Sequence, residues 1–170
     1  MLNSKDSNLL RSQMAQFNTS LHTIEKIYED YAKSVGLTYM SLTVLHIICD
    51  CPVDEPCTQK LISEKSHYNK QVVNVIIKGF YENGYVQLDE MPEDRRNKQI
   101  VLTEKGKIYA EKILSPLWGI EERALSVLKD SERVYLLDML ARCADGYKDA
   151  FAKSVTEINT EDASPTSYKR

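Results

Sequence analysis

The sequence predicts a mainly α-helical fold with one small β-hairpin. Apolar residues recur at helical spacing over most of the 170 positions. Two short stretches, residues 85–88 and 98–102, instead alternate polar and apolar side chains, as half-buried strands do. Glycine, proline and capping residues separate these segments. The chain is 42% hydrophobic and 28% charged, which is enough apolar material for a core.

A long first helix is predicted over about residues 6–34. Its apolar side chains alternate at spacings of four and three, which is a heptad seam: Leu10, Met14, Phe17, Leu21, Ile24, Tyr28, Tyr31 and Val35. Gly36 ends the helix. A seam of this length needs a partner helix, either within the subunit or across a dimer axis.

Three shorter helices are predicted next. Residues 38–50 are apolar in too many directions for a surface helix and should be largely buried. Thr58 can cap a short helix that runs to about Lys65, and Asn69 can cap another that runs to about Tyr81. The last has an apolar face (Val73, Ile76, Ile77 and Phe80) and an outer face (Lys70, Gln71, Asn74, Val75 and Lys78).

The two predicted strands enclose a loop from Asp89 to Asn97 with a basic tip, and Thr103 caps the helix that follows. That helix should run from about Glu104 to Leu128, with Pro116 kinking or splitting it. Asp130 or Ser131 should cap a final helix, and residues 156–170 are polar and expected to be disordered. A helix, a hairpin with a cationic tip and a second helix are typical of a winged helix-turn-helix.

The wing region resembles the MarR family of bacterial transcriptional regulators. The shared signature is an acidic-x-Arg tip followed by Leu-Thr-x-x-Gly, carried here by Asp94, Arg96, Leu102, Thr103 and Gly106. The resemblance extends over about residues 7–152, through the Gly84-Tyr85-Val86 exit from the recognition helix and the order of six helices around one hairpin.

This resemblance implies a homodimer that binds a pseudo-palindromic double-stranded DNA operator, usually as a repressor, and that a small molecule or thiol oxidation releases. It implies an N-terminal dimerisation helix (1–36), a winged helix-turn-helix domain (37–106) and C-terminal dimerisation helices (107–155). The chain departs from the family where Val75 replaces an arginine that many members carry, and where Val72 replaces a polar residue.

Side chains on the outer face of the recognition helix are the candidate readers of DNA, because a major groove admits one helix. Gln71 and Asn74 carry amides that can pair with adenine, while Lys70 and Lys78 suit guanine or phosphate. Asn69 can contact the DNA phosphate backbone at the N-terminus of this helix.

Arg96 at the wing tip is the strongest single candidate, since a cation on a thin hairpin fits a narrow minor groove. Arg95 and Lys98 should add phosphate contacts. Asp94 would hold Arg96 or Arg95 in place through a charge-assisted hydrogen bond.

The sensor is less determined by the sequence. Cys49, Cys51 and Cys57 lie within nine positions and are candidates for a redox switch, although small apolar side chains and one loop thiol are the simpler interpretation. The three thiols are also potential zinc ligands, which leaves a zinc site as a further alternative, but the nearest histidine is His46, three residues before Cys49, and no metal or cofactor is expected. Alternatively, an aromatic or lipophilic effector could bind among aromatic side chains, although plain core packing is the simpler interpretation of these residues: Tyr28, Tyr31, Tyr39 and Trp118.

Charge and composition set the remaining expectations. Residues 57–106 hold 8 basic and 7 acidic residues, so the DNA module is the only net-positive third of a chain whose net charge is −3. DNA binding must then depend on a few well-placed cationic side chains, whose number dimerisation doubles.

No stretch approaches the roughly 18 consecutive apolar residues of a membrane span. The N-terminus lacks the charged and then apolar segments of a secretory signal, so we expect a cytoplasmic protein without membrane contact. No catalytic grouping is visible, so the alternative to a regulator is a winged-helix protein-interaction module without specific DNA binding.

Overall fold

The computed structural model describes the backbone of residues 4–52, 55–91 and 94–161, and the side chains of residues 6–52, 55–91 and 97–155. It confirms the predicted class: six helices and one antiparallel hairpin within these residues. The elements in chain order are α1 (Ser4–Ser34), α2 (Tyr39–Cys49), α3 (Gln59–Ser66), α4 (Lys70–Glu82), β1 (Val86–Met91), β2 (Asp94–Leu102), α5 (Glu104–Ser126) and α6 (Asp130–Glu161).

The chain divides into two compact units, Met1–Gly119 and Ile120–Arg170, and α5 crosses the division. The core of the first unit draws on α2, α3, α4, the hairpin and the first part of α5. As predicted, α2 is largely buried. Its fully enclosed side chains join those of the neighbouring helices: Leu42, Val44, Leu45, Ile62, Val73, Ile77 and Leu114.

Only the end of α1 joins this core. Ala32 is buried, and the Tyr31 hydroxyl donates to the backbone oxygen of Ile113 at 2.5 Å. The earlier turns of α1 expose four apolar side chains of the predicted seam (Leu10, Met14, Leu21 and Ile24), and Leu9 and Ile27 next to it are exposed as well. An apolar row of this length on a helix surface is typical of an interface.

The predicted caps of α3 and α4 are confirmed, and Thr38 caps α2 in the same way, which the sequence did not predict. Thr38 accepts from the Ser41 amide at 3.0 Å, Thr58 from the Leu61 amide at 3.2 Å, and Asn69 from the Val72 amide at 2.9 Å. Each cap satisfies an N–H group that the helix leaves unpaired in its first turn.

The hairpin is longer than predicted, and the loop expected from Asp89 to Asn97 is wrong. The strands pair from Val86↔Leu102 to Glu90↔Lys98, followed by an irregularity and the pair Met91↔Asp94. The side chains of Asp89, Glu90 and Lys98 in the added pairs are polar and exposed, so no apolar alternation marks these strand positions in the sequence.

The helices after the hairpin also differ in detail from the sequence expectation. Pro116 does not split α5, which is assigned without interruption from Glu104 to Ser126. The predicted cap at Asp130 or Ser131 is wrong by one residue, because the Glu132 carboxylate accepts from the Lys129 amide at 2.8 Å. Helix α6 continues past residue 155 to Glu161, and residues 162–170 lie outside the described part of the chain.

Among the described residues, no single helix has both the length and the apolarity needed to cross a membrane. α1 and α2 meet those limits only when they are joined across a bend of 88°.

Candidate nucleic-acid interface

Helix α4 separates an apolar face from a polar one, as the sequence predicted. Val73, Ile77 and Phe80 are buried against the core. The opposite face is exposed to solvent and carries Lys70, Gln71, Asn74, Val75 and Lys78. The Lys78 ammonium lies 3.6 Å from a Glu82 carboxylate, but both side chains are well exposed, so this pair is weak and exchangeable.

The turn before α4 is held by side chains around Tyr68. Its hydroxyl donates to Thr43 Oγ1 at 3.3 Å, and its backbone oxygen accepts from the Ser63 hydroxyl at 2.5 Å. His67 adopts a left-handed conformation at φ 58° as it ends α3. These contacts fix the angle between α3 and α4, so Tyr68 serves the turn rather than presenting a free hydroxyl.

Sequence reasoning missed Gln59, the first residue of α3. Its Nε2 donates to Asn74 Oδ1 at 3.4 Å, which links the start of α3 to the outer face of α4. Gln59 also lines a cleft of about 220 Å³ beneath the wing, together with Leu88, Asn97, Lys98 and Ile100. The only sequence signal for it was its place directly after the Thr58 cap.

The wing presents Lys98 to solvent opposite Glu90 on the partner strand. The backbone of Asp94, Arg95 and Arg96 belongs to β2. Their side chains, which carry the predicted tip contacts, lie outside the described residues.

The base of the wing is bonded to the helix pair. The Ile100 amide donates to the Cys57 backbone oxygen at 2.7 Å, and Thr58 forms an isolated antiparallel bridge with Gln99. Because Thr58 also caps α3, one short segment anchors both the wing and the first helix of the pair. The wing and α4 therefore sit on one scaffold.

The Leu-Thr-x-x-Gly signature has a structural role at the junction with α5. Thr103 Oγ1 donates to the Gly84 oxygen at 2.7 Å and accepts from the Gly106 amide at 2.9 Å, while the Thr103 amide donates to the Tyr85 oxygen at 3.0 Å. A Cβ on Gly106 would lie 1.8 Å from the Tyr85 oxygen. The motif thus clamps the first turn of α5 onto the exit from α4.

Burial disfavours the thiolate form of two of the candidate redox cysteines, Cys49 and Cys57. It raises the pKa of Cys49 to about 11, with the Asp50 carboxylate contributing. It raises the pKa of Cys57 further, and a hydrogen bond with Cys51 adds to that increase. Reactive sensor thiols are marked by the opposite shift. All four cysteines are free thiols.

We expect iodoacetamide to alkylate Cys49 at least about tenfold more slowly in the folded protein than in urea at pH 7.5, because the thiolate is the nucleophile. Since folding raises this pKa from 9.0 to about 11, its stabilising contribution is present below pH 9 and is lost as the pH rises towards 11. Mass spectrometry of tryptic peptides follows each cysteine separately. Equal Cys49 rates in the two states would contradict the assignment.

The candidate effector aromatics have separate partners. The Tyr28 and Tyr39 rings lie 6.1 Å apart and tilted, whereas Tyr31 bonds to the α5 backbone. The Trp118 indole donates to His46 Nε2 at 3.1 Å, and the same nitrogen lies 3.4 Å from an Asp50 carboxylate oxygen. No sequence pattern predicts this hydrogen bond between His46 and Trp118, since the two residues are far apart along the chain. Within the described residues, no group of three or more His, Cys, Asp or Glu side chains could hold a metal ion.

Comparisons with known proteins agree with this geometry. The chain is 36% identical over 91 residues to the HTH-type transcriptional regulator SarZ of Staphylococcus epidermidis, covering 54% of this chain and 60% of that protein, which is less than two thirds of its length. It is 31% identical over 122 residues to SarZ of Staphylococcus saprophyticus, covering 72% of this chain and 79% of that relative. These relatives are named as transcriptional regulators, the class that the sequence predicted. No protein-family model matches the chain.

Solved structures share the fold. NMB1585, a MarR family regulator from Neisseria meningitidis, superposes with a TM-score of 0.71 at 24% identity, over 84% of this chain and 98% of that one. The PcaV transcriptional regulator from Streptomyces coelicolor, solved in complex with its natural ligand, gives a TM-score of 0.58 at 15% identity, over 74% and 89% of the two chains.

Proposed function

Because the chain belongs to the MarR family of winged helix-turn-helix transcriptional regulators, we propose that it binds double-stranded DNA as a homodimer and represses transcription from a pseudo-palindromic operator. The observation that carries the proposal is the exposed polar face of α4 on the same rigid scaffold as a wing whose sequence is basic at its tip. Such a pair presents one element to the major groove and one to the adjacent minor groove. A regulator of this kind acts on the chromosome, in the cytoplasm.

Exposed apolar side chains support the homodimer. Helix α1 leaves six large apolar side chains at the surface of the first unit, four of them in the heptad seam. The second unit, taken by itself, exposes its own set: Val127, Val134, Tyr135, Leu137, Leu140 and Phe151. Surfaces this apolar on a single chain mark protein interfaces. We assign residues 1–36 and 107–155 to dimerisation and residues 37–106 to DNA binding.

The low net charge of the module makes dimerisation necessary for affinity. Each subunit offers five candidate cations: Lys70, Lys78, Arg95, Arg96 and Lys98. A dimer that places about six of its ten on phosphates should show a log–log salt dependence of about −5. A single subunit would lose half of these contacts and bind too weakly for a specific operator.

Selection of bound duplexes from a random pool tests the proposal. We expect a palindromic motif with half-sites about one helical turn apart, recovered by a dimer in sedimentation analysis. Recovery of no motif, with affinity independent of sequence at low salt, would favour the protein-interaction module instead.

Gln71→Ala should relax sequence preference at one base pair of each half-site by about 1–3 kcal/mol while leaving the fold intact, because Gln71 is exposed and can pair with adenine through its amide. Competition binding between the selected operator and single-base variants measures the loss. Gln13→Ala, which removes the same amide from α1, is the control. If the base preference of the Gln71→Ala variant is unchanged at every operator position, Gln71 does not contact a base.

We propose further that a small aromatic or lipophilic effector releases the DNA. The ligand in the PcaV structure and the partly exposed Tyr28–Tyr39 ring pair support this. Trp118 is the single tryptophan of the chain, so its fluorescence can report effector binding. A panel of aromatic carboxylates should include one that both quenches Trp118 and releases the operator.

A further inference from the structure

We infer that Gln59 is a positioning residue that orients the Asn74 amide and thereby sets which base Asn74 selects. The inference rests on the proposed DNA binding and goes beyond it by naming a determinant of specificity on a different helix. Its starting point is the hydrogen bond from Gln59 Nε2 to Asn74 Oδ1, 3.4 Å long and spanning fifteen residues of sequence.

Gln59 is fixed by its surroundings more firmly than an ordinary surface glutamine. It is half-buried, whereas Asn74 is exposed. The residue before it, Thr58, caps α3 and bridges to Gln99 of the wing. The Gln59 side chain itself lines the cleft under Lys98. Its position is thus defined by α3, α4 and the hairpin together.

This contact divides the Asn74 amide into an inner and an outer half. An asparagine amide carries one acceptor oxygen and one NH₂ donor, on opposite sides of the same planar group. Because Gln59 donates to the oxygen, the oxygen faces α3 and the NH₂ group faces away from it. A free asparagine would pair with adenine by accepting from N6 and donating to N7. The orientation imposed by Gln59 opposes that bidentate mode.

The expected preference is therefore for bases whose major-groove edge presents acceptors and no donor. These are guanine, through O6 and N7, and thymine, through O4, whereas adenine has the N6 donor beside its N7 acceptor. Gln71 is still expected to contact adenine, whereas Asn74 is now expected to contact guanine or thymine.

Reversing the hydrogen-bonding polarity of residue 59 tests this assignment. The Gln59→Glu carboxylate can only accept, so it should turn the Asn74 amide and present Oδ1 to the DNA. Selection from a random duplex pool should then show the preferred base at one position of each half-site moving from guanine or thymine to cytosine or adenine, by about five- to tenfold. Gln59→Ala should flatten the preference at the same position.

Two controls separate orientation from charge. Lys60→Gln changes the net charge by the same amount on the neighbouring, exposed residue and should lower affinity without altering the preferred base. In an Asn74→Ala background, Gln59→Glu should no longer change the preference, because the oriented group is gone. Circular dichroism melting confirms that each variant is folded.

The outcomes distinguish the inference from the function. If the wild-type protein selects a motif and Gln59→Glu leaves every position unchanged, the positioning role is overturned and DNA binding stands. A change that persists in the Asn74→Ala background also overturns it. If the wild-type protein selects no motif, the proposed function fails and the inference fails with it.

Discussion

Replacing Gly106 with alanine is expected to lower the free energy of unfolding by roughly 2–4 kcal/mol. The added Cβ would lie 1.8 Å from the Tyr85 oxygen and 2.8 Å from its carbonyl carbon, so backbone rather than a flexible side chain must move. That displacement would also disturb the Thr103 hydrogen bonds to Gly84 and Tyr85. The gain of about 1 kcal/mol in helix propensity offsets only part of this cost.

Urea or thermal unfolding at fixed protein concentration measures the loss, because the stability of a dimer depends on concentration. Gly79→Ala is the matched control: a Cβ there meets nothing within 4 Å, and the same substitution should stabilise the protein by about 0.5–1 kcal/mol. Opposite signs for the two variants would establish that backbone contact, and not the loss of glycine flexibility, makes Gly106 necessary. A neutral Gly106→Ala would contradict the close approach.

Replacing Arg96 with alanine is expected to weaken operator binding by about 30- to 100-fold with little change in stability. Each half-site would lose one charge-assisted contact in the minor groove, and a symmetric dimer loses two, each of about 1–1.5 kcal/mol. The salt dependence should fall by about one to two units of slope.

Fluorescence anisotropy with the selected operator, titrated over salt concentration, measures both effects. Arg123→Ala removes the same charge from the exposed surface of α5 and should change affinity less than about threefold. If Arg96→Ala and Arg123→Ala behave alike, the tip arginine contributes only long-range charge and the wing assignment is wrong.

Helix starts and the two faces of α4 could be predicted because their causes are local. A threonine or asparagine before an apolar run satisfies the same N–H groups in any fold, which is why Thr58 and Asn69 cap their helices at the predicted positions. The 3.6-residue period likewise identifies Val73, Ile77 and Phe80 as buried without knowledge of their partners.

The parts that could not be predicted depend on contacts between distant segments. The strands lengthen through Asp89, Glu90 and Lys98 because backbone bonds across the hairpin outweigh an unfavourable local composition. The Gln59–Asn74 and His46–Trp118 bonds join residues on different helices, and no periodicity encodes them. A glycine is required at position 106 because of its close contact with the Tyr85 backbone, a residue distant in sequence.

The backbone hydrogen bond between Ile100 and Cys57 limits how the proposed effector could act. A signal that bent the wing relative to α4 would have to break this hydrogen bond and the adjacent Thr58–Gln99 bridge. The winged helix-turn-helix domain of each subunit should therefore move as a rigid body. Induction would then be a change in spacing: the two halves move until their separation no longer matches one turn of B-DNA, while the shape of each stays the same.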